Sequence, residues 1–278
     1  MLTRLAVGLD QKQYLEDLLR RLNMQDSATA PTPIVSRLSA DNAGAPLSSE
    51  DHANYRMAVG SLLYLACWTR PDISFAVSEL SRFVSAPAEA HMKAVKHLVR
   101  YLRGTMDLGL LYSKTAGGAG PPSVLTAYVD ADWAGDPDFR RSTTGYVLVL
   151  NGAAISWKSK RQTAIALSSA EAEFMAASSL VQEMIYIRRL LERLGFPQSE
   201  PTPIGEDNRT CVAWAEGAVG GSDRAKHIDL RVHFVHEAVQ ANVLSLQVVR
   251  SADNLADLFT KPLAQPVFVS LRRRLMGE

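Results

Sequence analysis

The chain has 278 residues, 47% of them apolar, which suffices for a sizeable core and for two domains. Its formal net charge of +1 does not announce a nucleic-acid partner, so local charged patches matter more than the total. Cys67 and Cys211 stand alone and support neither a zinc site nor a disulfide framework; with no signal peptide and no run of ~18 apolar residues, the expected location is intracellular, cytoplasmic or nuclear, without a membrane partner.

The first part reads as mainly helical. Tyr14, Leu15, Leu18, Leu19 and Leu22 recur at helical spacing and make one apolar stripe. The stretch 28–49, rich in Pro, Ser, Ala and Asp, reads as a long loop. A strongly apolar helix is expected over 55–68, and a second over 73–84 with Asp72 as its cap. A third runs over 87–102, with Pro87 in its first turn and Gly104 as its stop. Met92, Val95, Leu98, Val99 and Leu102 form its buried side, with His91 and His97 at the edge. Lys93, Lys96, Arg100 and Arg103 share another face, by spacing alone either a solvated surface or a strip lying along a phosphate backbone. Small residues, glycines and a Pro-Pro pair mark 113–123 as a linker. That leaves 1–112 as a helical segment and 124–278 as a second domain.

The second part alternates. Strands are expected over 124–129, 145–150 and 154–157, the last two joined by an Asn151-Gly152 turn. A long helix over 170–194 opens with a Ser168/Glu171 capping box and ends at Gly195 and Pro197. A strand at 203–205, helices at 210–215 (capped by Asn208) and 230–241, a strand at 244–249 and helix from 255 follow. Three antiparallel strands and then βαβ elements imply an α/β (α+β) domain, a mixed sheet with helices on its faces.

Four acidic residues lie in four of these segments: Asp130 in YVDADWAGD (128–136), Glu173 in SSAEAEFMAA (168–177), Asp207 in PIGEDN (203–208) and Asp257 in ADNLADLFTK (252–261). Carboxylates at strand ends and helix starts of one domain can converge, and together they suit hard cations such as Mg²⁺. A pair of such ions is a standard means of hydrolysing a phosphodiester, so these residues point to a nuclease. Asp132, on the same side of its strand as Asp130, is the runner-up ligand or a support for one.

Eight stretches carry a resemblance: YRMAVGSLLYLACWTRPDISFAVSELSRF (55–83), HMKAVKHLVRYLRGTMDLGLLY (91–112), DADWAGD (130–136), STTGYV (142–147), ISWKSKRQ (155–162), LSSAEAEF (167–174), KHIDLRVHFVHE (226–237) and LADLFTKPL (255–263). In this order and spacing the chain resembles the C-terminal part of the polyprotein of copia-type LTR retrotransposons. The matching part is the ribonuclease H domain and the reverse transcriptase stretch before it.

The resemblance implies a ribonuclease H-like mixed five-stranded sheet flanked by helices and preceded by a mainly helical thumb/connection-like segment. It implies two Mg²⁺ ions, with Mn²⁺ able to substitute, held by Asp130, Glu173, Asp207 and Asp257, and no small-molecule cofactor. Glu173 is preferred to Glu171, which is occupied as the capping partner. The implied substrate is the RNA strand of an RNA–DNA hybrid, cut endonucleolytically, with the upstream reverse transcriptase polymerase domain as a further partner and no polymerase activity in this chain alone. Contacts to nucleic acid are expected from Lys93, Lys96, Arg100, Arg103, Arg140, Arg141, Lys158, Lys160, Arg161 and His227. For His227 a structural role is the competing reading, as is a solvated loop for 157–162. The alternative function is a catalytically idle nucleic-acid-binding or regulatory remnant of a retrotransposon. Removal of residues 1–122 is expected to weaken hybrid binding and leave some cleavage.

Overall fold

The computed structural model describes residues 4–41, 43–115, 123–217 and 226–278. In the first half a strand β1 (Arg4–Leu9) pairs antiparallel with β2 (Leu110–Thr115) as a two-stranded ribbon, with four helices between them in the sequence. These are α1 (Lys12–Arg21), α2 (Ser49–Trp68), α3 (Ser74–Ser81) and α4 (Glu89–Arg103). The apolar stripe of α1 buries Leu15, Leu18 and Leu19 as its period requires. Ser48 caps α2 by accepting from the Asp51 backbone N–H at 3.1 Å.

Asp72 does not cap α3. It lies in a 3₁₀ turn (Pro71–Ile73), fully buried, and its carboxylate takes a fork from Arg70 at 2.9 and 2.8 Å and the Tyr101 hydroxyl at 2.6 Å. Desolvating a carboxylate is costly unless it is paired, and this pairing makes the Thr-Arg-Pro-Asp stretch a core staple instead of a helix start. His91, expected at the edge of α4, is also buried. Its Nδ1 accepts from the Ala88 backbone N–H at 3.0 Å, and its ring stacks on Phe83 at 3.8 Å. The strand β2 runs through 113–115, the first residues of the expected linker, while 116–122 lie outside the described residues.

The second half contains β3 (Thr126–Asp132), β4 (Thr143–Leu150), β5 (Ala153–Arg161), α5 (Ser169–Arg193), β6 (Thr202–Glu206), α6 (Arg209–Ala215), α7 (Lys226–Gln240), β7 (Leu244–Val248) and α8 (Gln265–Met276). A 3₁₀ turn (Leu255–Phe259) precedes α8. The sheet order is β5-β4-β3-β6-β7, antiparallel on the β5–β4–β3 side and parallel from β3 through β6 to β7. Asn151 and Gly152, at φ 53° and 92°, make the tight turn between β4 and β5 with both central residues left-handed. Ser168 caps α5 by accepting from the Glu171 N–H, and Glu171 reaches back to the Leu167 N–H at 2.7 Å.

Period-two alternation divides the sheet into two faces. Ala127, Val129, Ala131, Tyr146 and Leu148 pack under α5, α6 and α7 in one core. Val147 faces the other way and, with Ala153 and Ala154 near the register shift in the β4–β5 pairing, belongs to a core shared with Leu255, Phe259, Phe268 and Leu271 and with Leu62, Leu65, Leu98 and Tyr101 of the first half. Trp157 donates from its indole to the Ala66 carbonyl at 2.8 Å, and Tyr101 meets Phe268 edge-on at 5.7 Å. Apolar packing is therefore continuous between the helical segment and the sheet. Among the described residues no helix is long and apolar enough to cross a membrane.

Candidate active site

Asp130 projects from the end of the central strand β3 toward the face covered by the 3₁₀ turn and is 3% exposed. Its cross-strand partner on β4 is Gly145. A Cβ at Gly145 would lie 2.5 Å from Thr260 Cγ2 and 2.9 Å from the Ala256 carbonyl oxygen, so glycine there lets the turn lie directly on the strand. Asn254, fully buried, holds the turn in place: its amide donates to the Val129 carbonyl at 2.9 Å, and its Oδ1 accepts from the Ala256 N–H at 3.0 Å. The result sets Asp257 beside Asp130 and lets the Thr260 hydroxyl donate to Asp130.

Glu173 enters from the first turns of α5, on the opposite face, and Asp207 follows β6. Asp130, Glu173 and Asp207 each offer a carboxylate oxygen within 4.8 Å of the others, a spacing able to hold a metal ion. Asp257 lies beside Asp130 but outside this trio, and Lys261 bridges the two, its ammonium 2.8 Å from Asp257 and 3.7 Å from Asp130. Burial alone would lower the Lys261 pKa, but Asp130 and Asp257 outweigh it and raise it.

A fifth carboxylate, Glu206, completes the cluster. It is fully buried, and burial, with Asp130 and Asp207 nearby, raises its carboxyl well above the ordinary range. One of its oxygens accepts from the Asn208 N–H at 3.0 Å. Both Oε2 atoms, of Glu206 and of Glu173, are buried and have no hydrogen-bond partner among the described residues. The available sequence signal was alternation: counting by two from the apolar Ile204 puts Glu206 on the core side. Burial is likewise the leading cause that raises Asp130, and it carries Glu173 to about 11 and Asp257 to about 7, with neighbouring carboxylates adding to each. A pocket of oxygen donors that resists ionisation and leaves acceptors unpaired fits a hard divalent cation.

Asp132 is not in the metal-spaced trio; it binds Arg37 of the first half. The basic candidates separate into groups. Lys158, Lys160 and Arg161 converge with Arg231 and Gln162 around a cleft of about 190 Å³ between β5, α5 and α7. Arg161 there is paired with Asp136 at 2.7 Å. Arg140 and Arg141 lie in the β3–β4 connection, Arg140 exposed. Lys93 and Lys96 are exposed on α4, but Arg100 folds back on the Lys96 carbonyl, and Arg103 binds the Gln25 and Ser27 carbonyls. The side chain of His227 lies outside the described residues.

A mixed five-stranded sheet in this order, flanked by helices and with carboxylates gathered at the end of its central strand, defines a ribonuclease H-like domain. No protein-family model matches the chain. It is 38% identical over 280 residues to the retrovirus-related Pol polyprotein from transposon TNT 1-94 of Nicotiana tabacum, which covers 99% of this chain and 20% of the relative. It is 40% identical over 272 residues to the retrovirus-related Pol polyprotein from transposon RE1 of Arabidopsis thaliana, covering 97% of this chain and 18% of that one. LC11-RNase H1, isolated from compost, aligns at TM-score 0.38 and 15% identity over 50% of this chain and 93% of its own. Over nearly its whole length the chain is homologous to retrovirus-related Pol polyproteins from transposons, and it spans about a fifth of the length of the curated relatives it matches.

Proposed function

We propose that the chain is a ribonuclease H that hydrolyses the RNA strand of RNA–DNA hybrids endonucleolytically, with Mg²⁺ as its working ion. The observation that carries this reading is the meeting of Asp130, Glu173 and Asp207 within 4.8 Å from three distant segments, the first two buried and the third half-buried, beside acceptors left unpaired among the described residues. Those three would hold the ion, with Asp257 at the adjoining position. Bound there, Mg²⁺ would lower the pKa of an attacking water and stabilise the leaving 3′ oxygen. The chain's own groups do the rest. Thr260 orients Asp130 through its hydroxyl, and Lys261 offsets the charge of Asp130 and Asp257. The cleft at Lys158, Lys160 and Arg231 offers cations to a phosphate backbone, and contacts to 2′-hydroxyls would distinguish RNA from DNA.

A second reading, binding without cutting, is favoured by one feature: Lys261 already supplies positive charge where an ion would sit. Cleavage of a labelled hybrid in Mg²⁺ by the parent chain and by Asp130→Asn separates the two. Cutting of the RNA strand that drops by at least about 10³-fold in the variant is expected of a residue essential to a metal-held reaction. Tight hybrid binding without cutting by either protein supports the idle remnant instead.

A further inference from the structure

All the carboxylates of the centre come from the second half of the chain, yet the side chain that braces two of their supporting segments comes from the first. Arg37 lies in the loop between α1 and α2, and its side chain is only 12% exposed. Its Nε and Nη2 both donate to Asp132 Oδ2, the former at 3.1 Å. Nη2 also donates to the Thr260 carbonyl at 2.5 Å and to Thr143 Oγ1 at 3.3 Å, while Nη1 donates to Glu79 at 3.3 Å. The guanidinium lies over the Phe75 ring at 5.0 Å.

These partners stand next to the chemistry. Asp132 ends β3 two residues after Asp130, and Thr260 closes the turn that carries Asp257 and donates its hydroxyl to Asp130. One rigid fork thus ties the strand end bearing Asp130 to the turn bearing Asp257. A flexible ammonium could not span both partners in fixed geometry. A Cβ on Gly135 would collide with the Asp132 carboxylate and come within 2.9 Å of Arg37 Nη2, so the glycine of the DADWAGD stretch answers to the same joint. Arg82, also from the first half, makes a separate tie through Asp136 and Asp138 at 2.6 and 2.9 Å; it docks the halves without reaching the turn.

We propose that Arg37 is a positioning residue for the metal centre, supplied by the upstream segment, and that it acts through Asp132 and the Thr260 carbonyl to fix the separation of Asp130 and Asp257. The inference rests on the nuclease reading above. A mere docking residue would alter thermal stability and leave the folded protein's metal affinity alone; a positioning residue moves the affinity.

The test titrates Mn²⁺ alone into the full chain by calorimetry and, separately, follows hybrid cutting in Mg²⁺. Arg37→Met is expected to weaken Mn²⁺ binding by roughly 10- to 100-fold, the range for residues that orient metal ligands, and to lower kcat similarly with KM for the hybrid unchanged. Arg37→Lys, which keeps the charge and loses the fork, is expected to resemble Arg37→Met. Asp132→Asn, which leaves the Thr260 bond intact, is expected to show a smaller loss in the same direction. A folded Arg37→Met that binds Mn²⁺ and cuts like the parent overturns the inference; should that variant fail to fold, unchanged affinity and kcat in Asp132→Asn overturn it. A parent chain that neither binds Mn²⁺ nor cuts overturns the nuclease reading and this inference together.

Discussion

Burial, then Asp130, holds the Asp257 carboxyl near 7 against the pull of Lys261, and burial, Glu206 and Asp130 carry Glu173 to about 11. Both would titrate near about 4 in the unfolded chain. The folded, metal-free protein therefore binds more protons than the unfolded one above that value, and its stability falls as pH rises from about 4 through 7 and onward. In EDTA, the thermal midpoint is expected to be higher at about pH 5 than at about pH 8, and Glu173→Gln should flatten the slope. Mg²⁺ binds the ionised carboxylates, so it should raise the midpoint more at the higher pH. Melting curves at the two pH values, with and without the ion, check both signs. A midpoint that climbs with pH in EDTA would contradict the assignment of buried, reluctant acids.

At the level of elements, the critical contact is the 3₁₀ turn (Leu255–Phe259) resting on β4 at Gly145. Gly145→Ala forces the turn outward and is expected to cost about 1–3 kcal/mol, the usual range for overpacking a core, read as a lower urea midpoint. It should also impair cutting, because Asp257 and Thr260 move with the turn. Most elements were legible in the sequence because their signals are local: the stripe of α1, the capping box of α5, the Asn-Gly turn between β4 and β5. Three carboxylates expected to share a metal do converge, Asp130, Glu173 and Asp207. Local signals did not report partners distant in the chain. Asp72 resembles a helix cap until Arg70 and Tyr101 claim it, Glu206 resembles a strand-end acid until the helices cover it, and Arg37 resembles a loop residue until Asp132 and Thr260 are in place.

For the whole molecule, the shared core determines how far the two halves can be separated. Leu62, Leu65, Leu98 and Tyr101 pack in the same core as Val147, Phe259, Phe268 and Leu271. Truncation to residues 123–278 would expose that side of the sheet, where each uncovered Leu- or Phe-sized side chain costs about 1.5–3 kcal/mol. The shortened chain is therefore expected to lose cooperative unfolding by circular dichroism and, with it, hybrid cutting, rather than to keep part of its activity. A fragment that melts cooperatively and cuts would show that the sheet and its own helices suffice.

The contact of Tyr101 with Phe268 also has a temporal side. A chain leaves the ribosome N-terminus first, and more than half of this sequence lies between these two rings. At ordinary synthesis rates, roughly 10–30 s pass between their appearances. During that interval the Tyr101 side of α4 lacks its cover from α8. The helices that share this core must then wait in a partly open state, so chaperone demand during synthesis falls on the helical segment and its relief comes only once α8 is made.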